Sequence, residues 1–417
     1  MRYLRPQRVW GPLPLGAARQ WAMPRAFLCS APLALLLAVV PLRAQQDPLV
    51  TSGFDHFYNL EYDDALADFN KEIAKYPDNP DGYNHRAQCI LYSQMYRSGA
   101  LESQLVSGSN PFLHRVALNP TPAGQQIFND SITTAIALAQ TRIKIDPEDE
   151  KSLYALGVSH GLRANYAFLV HKAWVDALRD AGTARKLHSR ITAADPDFVD
   201  AELLQGLYSY IVGNLSFGYR LMGMIAGFHG DKSEGIATLH RVMEKGHWNR
   251  SDAAILLAVI YRRERHPSQA IPLLENLVEQ FARNHLLLFE MVQMYGEMGD
   301  KKKALETLTR IEELKTGGAF KDLPWERILY VRGNFRFWYN DLDLALGDLE
   351  KVVDKANDVD LNTGVMAWMR IGQIHDLKEE RTQATAAYKR AIAFAPGSDP
   401  AHESKNYLKH PYHRKAS

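Results

Sequence analysis

Apolar residues along this chain recur at the spacing of one helix face. Leu349, Val352 and Val353 form one stripe, and Ala384, Ala387, Tyr388 and Ala391 another, with apolar positions at i, i+3, i+4 and i+7. No segment alternates apolar and polar residues convincingly at period two, so the pattern predicts helices throughout and almost no sheet. The helix ends are legible too. Tyr76-Pro77, Asp146-Pro147 and Asp195-Pro196 each stop a helix, because the residue before proline is pushed out of the α region. Gly299-Asp300 and Asn340-Asp341 supply turns between helices. Pro272 falls early in its helix, where a first turn accepts it.

The stripes themselves repeat. Counting from Val365, Trp368 is position 4, Ile371 and Gly372 are 7 and 8, His375 is 11, Ala384 is 20, Tyr388 is 24, Ala391 is 27 and Pro396 is 32. These residues resemble the tetratricopeptide repeat (TPR) of roughly 34 residues. Small residues at position 20 recur as Ala65, Ala135, Ala184, Gly235, Ala270, Ala304, Ala345 and Ala384. They define eight units, near 46–79, 80–149, 150–198, 199–249, 251–284, 285–318, 326–359 and 365–398. The resemblance implies an all-α, TPR-like α-solenoid over 45–400: a right-handed superhelix of helix-turn-helix repeats with a concave face. Residues 401–417 read as a polar, solvated tail.

In the first unit and the last four, positions 8 and 20 stand 12 residues apart; in units two to four the gaps are 48, 27 and 29. Unit two contains a stretch rich in Pro, Gly, Ser and Asn, Ser107 to Gly124, read as a long loop or cap. Units three and four insert apolar material, read as prolonged first helices plus an extra helical segment, so the centre is enlarged. The segment around Phe228, Gly230, Asp231 and Gly235 resembles the tetratricopeptide repeat 39 family, a likeness spanning roughly residues 150–250.

Charge changes the picture at the N-terminus. Six arginines and no acid precede Asp47, and an apolar run from Ala31 to Leu42 follows most of them. That run has the length of a signal-peptide core and is too short to span a bilayer. Residues 1–44 therefore read as a cleaved signal peptide of an exported, periplasmic or extracellular protein, with a mitochondrial address as the alternative. Without them, 43 basic residues face 48 acidic ones and the net charge is −5, which removes the electrostatic basis for nucleic-acid binding. Only Cys89 then remains, so no intramolecular disulfide forms.

Chemistry is harder to find. Asp231 separates Gly230 from Lys232-Ser233, which breaks the phosphate-loop pattern. Fifteen histidines include no H-E-x-x-H, and no C-x-x-C accompanies them, so neither metal nor cofactor is expected. His56, His160 and His375 occupy position 11 and read as packing residues. Ser159 and His160 are helix neighbours pointing about 100° apart, which rules out a nucleophile–base pair. What remains is the concave face, which the TPR resemblance assigns to positions 2, 5, 9 and 12 of each first helix. Carried over, it names Arg327, Tyr330, Asn334 and Phe337 in unit seven, and Phe289 and Gln293 in unit six. It also names Arg262 in unit five, Tyr210 in unit four and Tyr154 in unit three. Rings with an arginine and an amide suit a protein or peptide ligand. Tyr330 stands where chaperone-binding TPRs need lysine, so a C-terminal carboxylate ligand is not expected. The expected function is a non-catalytic exported scaffold. In this reading, replacing Tyr330, Asn334 and Phe337 together removes partner capture and leaves helicity intact. The alternatives are peripheral membrane contact through the apolar segment 213–230, or an enzyme with its site in the enlarged centre.

Overall fold

The computed structural model describes residues 47–101, 118–214, 230–356 and 359–414. The segment 1–44, most of the apolar stretch 213–230 and most of the Ser107–Gly124 loop lie outside these residues. Among the described residues there are seventeen α-helices and no strand. They are α1 (Pro48–Tyr58), α2 (Tyr62–Lys75), α3 (Pro80–Arg97), α4 (Pro122–Ile145), α5 (Glu150–Tyr166), α6 (Trp174–Ala194), α7 (Leu203–Gly213), α8 (Lys232–Lys245) and α9 (Arg250–Arg263). The series continues with α10 (Pro267–Gln280), α11 (His285–Glu297), α12 (Lys301–Thr316), α13 (Trp325–Trp338), α14 (Leu342–Asp354), α15 (Leu361–Leu377), α16 (Arg381–Phe394) and α17 (Asp399–Lys409). The first sixteen pack as consecutive hairpins, each against the next, which is an all-α TPR-like solenoid.

The hairpins share one internal contact. The small residue at position 8 receives the side chain at position 24 of the second helix. A Cβ on Gly372 would stand 2.5 Å from the Tyr388 ring, and one on Gly157 2.3 Å from the His188 ring. At Gly235 the roles reverse, and a Cβ there would strike the α7 backbone at Tyr210 N, 2.5 Å away. Several first helices end on a left-handed residue that turns the chain into the second: Leu60, Arg265, Gly299, Asn340 and Glu379 all have positive φ. Side-chain caps start many helices, including Asp47, Thr121, Asp149, Asn284, Asp300 and Asp360.

The enlarged centre is built differently from the expectation. In unit three the insertion lengthens the second helix: α6 has 21 residues and starts ten before Ala184. The first helix is prolonged as expected, α5 running on into a π-helical turn at Ala167–His171, but no separate helix stands between it and α6. In unit two Thr121 caps α4, so Pro122 to Gly124 are helix rather than loop. The tail also departs from expectation. Residues 399–409 form α17, with Ala401 and Ser404 buried and Tyr407 and Leu408 packed on the last core. The chain then runs back: the Tyr412 amide donates to Asp376 at 2.8 Å, and the Arg414 guanidinium donates to the Phe337 carbonyl.

The solenoid also closes on itself. Tyr58 at the end of α1 stacks on Phe281 with centroids 4.8 Å apart. The Asn284 side chain donates to the Tyr58 carbonyl at 2.7 Å while capping α11. The Arg283 amide donates to Asn59 at 2.9 Å, and its guanidinium pairs with Asp55 and Glu61. Replacing Asn284 by alanine removes a helix cap and orphans a buried carbonyl, a loss of about 2–4 kcal/mol. Hydrogen exchange along α1 is expected to accelerate in that variant. Arg283→Ala, whose ion pairs are half exposed, is expected to cost under about 1 kcal/mol.

Candidate functional site

Because the first unit meets units five and six, the concave face of the first helices becomes the wall of a partly enclosed chamber. Its volume is about 320 Å³. Phe57 and Tyr58 of α1, Tyr92 of α3, Tyr154 and Val158 of α5, Leu207 of α7, Ile255 and Val259 of α9, Phe289 of α11 and Arg327 of α13 all face it. A second, wider cavity of about 820 Å³ lies between the α1–α3 region and the loop Gly318–Pro324. The two share Leu60, Tyr62, Leu101, Leu286 and Arg327 and so adjoin; the wider one is called the vestibule below. The vestibule rim is polar, with Arg97 paired to Asp63 at 3.2 Å.

Burial sets the electrostatics. Removal from water lowers His188 to about 4, and it stays neutral, stacked on Tyr154 at 5.0 Å. Burial, and after it Arg327 and Lys315, lowers His285 to about 3. Burial raises the Asp252 carboxyl to about 6, a shift only partly offset by a hydrogen bond from the Tyr58 hydroxyl. The Cys89 thiol is pushed up to about 12 by burial and lies 3.3 Å from the Tyr62 carbonyl, so it is a poor nucleophile. Ser159 and His160 turn to different partners, Asn84 at 2.7 Å and Asp180 at 2.8 Å.

His56, Glu61 and Asp64 bring three ligand-type atoms within 4.8 Å of one another. Glu61 already bonds His56 at 2.6 Å and Arg283 at 2.7 Å, so its charge is spent on the closure. The same pairing recurs in the last unit as His375 with Glu380, also 2.6 Å. It is a turn device of the repeat, and a cation would have to displace Arg283 to use it.

The sequence profile of the tetratricopeptide repeat matches residues 367–398, which lie on the α15–α16 hairpin. That hairpin is a tetratricopeptide repeat. Comparison with curated proteins returns no match. Similar solved structures include yeast Tom70, at 14% identity over 87% of this chain and 94% of that one, with a TM-score of 0.37. A human IFIT1 dimer with m7Gppp-AAAA is 15% identical over 87% and 84% of the two chains, with a TM-score of 0.44. The Cut9–Hcn1 hetero-tetramer of APC/C is 15% identical over 85% and 68%, with a TM-score of 0.35.

The nine residues expected to line the concave face divide into three sets. Tyr154, Phe289, Gln293 and Arg327 line the chamber. Arg262 stands behind it, buried, bonding Glu290 and Gln293 of the neighbouring first helix. The other four are not on an open groove. Tyr210 is buried and donates to Glu264 at 2.9 Å. Tyr330 and Phe337 are 1% and 0% exposed. The protein's own C-terminal segment occupies that end of the face: Tyr412 lies 6.1 Å from the Phe337 ring, and Arg370 lies over it at 4.3 Å. Asn334 is half-buried, and its side-chain oxygen is buried without a hydrogen bond.

The chamber residues not named from the sequence are chiefly Phe57, Tyr58, Tyr92 and Asp252. Asp252 was within reach. It holds position 2 of unit five, the position that named Arg327 in unit seven. The three rings belong to units one and two, which reach the chamber only because the ring closes.

Proposed function

We propose that this protein is a non-catalytic scaffold that holds an extended segment of a partner protein in the vestibule. The observation that carries this reading is the polar-rimmed cavity of about 820 Å³ adjoining an apolar chamber on the helix face that TPR folds use for binding. A partner main chain would find the polar groups of the rim, and its side chains would find Leu60, Leu286 and Phe320 on the floor. The expectation of export stays with this reading, supported by the arginine-rich, acid-free start and the apolar run after it. The net charge of −5 that follows removal of residues 1–44 favours a protein partner over nucleic acid.

The test is selection of peptides from a displayed library on the protein, followed by titration of Leu286→Glu. A charge on the shared floor is expected to weaken selected peptides at least tenfold, about 1.4 kcal/mol, with helicity unchanged. Undiminished binding to that variant would remove the vestibule from the reading.

A further inference from the structure

The inner chamber has a chemistry of its own that a peptide in the vestibule does not use. Asp252 sits in the first turn of α9, half-buried, with its open side toward the chamber. Its hydrogen bond comes from Tyr58, and among the described residues no lysine, arginine or histidine pairs with it. The phenols of Tyr58, Tyr92 and Tyr154 stand close enough to feel its charge: after burial it raises Tyr58 and Tyr92 further, and it adds to the larger effect of Asp200 on Tyr154. Asn249 fixes one of these rings, donating to the Tyr154 hydroxyl at 2.8 Å.

We propose that the chamber binds an organic ammonium ion carried on an apolar stem. The charge lies beside Asp252 within the ring of Tyr58, Tyr92 and Tyr154, and the stem runs along Ile255, Leu256 and Val259 of α9.

Three arguments carry this. First, a half-buried carboxylate with no counter-cation is an uncompensated charge, and a ligand cation supplies the missing partner. With the carboxyl raised to about 6, most of it is still ionised at neutral pH. Second, aromatic faces attract cations through their quadrupoles, most strongly where water is excluded. An anion would be repelled by Asp252, and a neutral apolar guest would leave the charge unpaired. Third, the chamber is polar at one end and apolar along its length. From Asp252 to Val259 is seven residues of helix, about 10 Å at the rise of an α-helix. Asp252 therefore marks the end of the chamber at which the charged group of an amine finds its partner. The volume of about 320 Å³ suits one small molecule with a single stem.

The experiment is titration calorimetry of the protein with octylamine, octanol and octanoate at pH 7.5. Octylamine is expected to bind at least tenfold more tightly than octanol, and octanoate more weakly than both. Asp252→Asn is expected to erase the preference, leaving octylamine and octanol equal. Ile255→Trp fills the chamber without touching the carboxyl, so it covers the case in which Asp252→Asn does not fold; it is expected to abolish octylamine binding. Tyr154→Phe keeps the ring and is expected to keep the preference. Equal binding of octylamine and octanol to the native protein would mean an apolar cavity only and overturns the proposal. So does the absence of octylamine binding, or octylamine binding unchanged in Asp252→Asn or Ile255→Trp. Peptide capture in the vestibule is a separate measurement, and its failure leaves this one intact.

Discussion

Truncating Phe337 to alanine is expected to destabilise the C-terminal part of the solenoid by about 3–5 kcal/mol, the range for removing a fully buried aromatic side chain. The ring is 0% exposed and is enclosed from several directions. Arg370 lies over it at 4.3 Å, Arg414 at 5.2 Å, and the Tyr412 ring stands 6.1 Å away. Removing the ring leaves a cavity among groups that are tied down, since Arg414 also donates to the Phe337 carbonyl. Collapse to fill the space is therefore limited, and both transfer and cavity losses apply. Urea denaturation followed by circular dichroism measures the change. Trp338→Ala is the control: that side chain is 56% exposed, and its loss is expected to stay within about 1 kcal/mol. A Phe337→Ala variant as stable as Trp338→Ala would mean that the C-terminal segment does not lie there. This outcome replaces the sequence-based expectation that Tyr330, Asn334 and Phe337 can be changed together with helicity intact. Loss of partner capture in that triple variant would report unfolding.

The second large effect is expected at Asp200. Its carboxylate accepts three backbone amides, from His247 at 2.8 Å, Trp248 at 2.9 Å and Asn249 at 2.8 Å. It thereby ties the start of unit four to the turn that begins unit five. Hydrogen bonds to a charged acceptor are stronger than neutral ones, and amides left without a partner lose more than the bond itself. Part of that turn is exposed, so water recovers some of the loss. Asp200→Ala is expected to lower stability by about 2–4 kcal/mol and to speed exchange of the amides at 247–249. Asp200→Asn keeps one carbonyl oxygen as acceptor and is expected to fall between. A change under about 1 kcal/mol in Asp200→Ala would show that solvent satisfies those amides on its own. The effect also bears on the chamber, because Asn249 and Asp252 follow this turn directly.

Much of the architecture was legible along the chain. Periodicity at i, i+3, i+4 and i+7 and the Pro77, Pro147 and Pro196 stops mark where α2, α4 and α6 run and end, because helix formation and capping are settled within about one turn of the residue concerned. The pairing of small residues at positions 8 and 20 announces the hairpins, since two helices approach closely only where a Cβ is small or absent. Gly372 under Tyr388 and Gly157 under His188 are that rule in atoms. Asp252 and Asp200 both stand at position 2 of their units, although neither was named from the sequence.

The candidate site was less legible, for a physical reason. Tyr154, Phe289, Gln293 and Arg327 line the chamber as the repeat numbering implies, whereas Tyr210, Tyr330 and Phe337 hold equivalent positions and are buried in packing. Position in a repeat says which way a side chain points. It does not say whether open space lies there, because that depends on what the rest of the chain brings over it. The chain itself determined the helices, the hairpins and the direction each face looks, all local consequences of spacing and side-chain size. Only the tertiary structure decided that the ring closes and that the tail becomes a cap. The closure of Tyr58 on Phe281 and Asn284 joins residues more than two hundred positions apart, and its geometry accumulates from small angles between successive repeats that no single motif encodes. That closure turns an open concave surface into a chamber with Asp252 at its end.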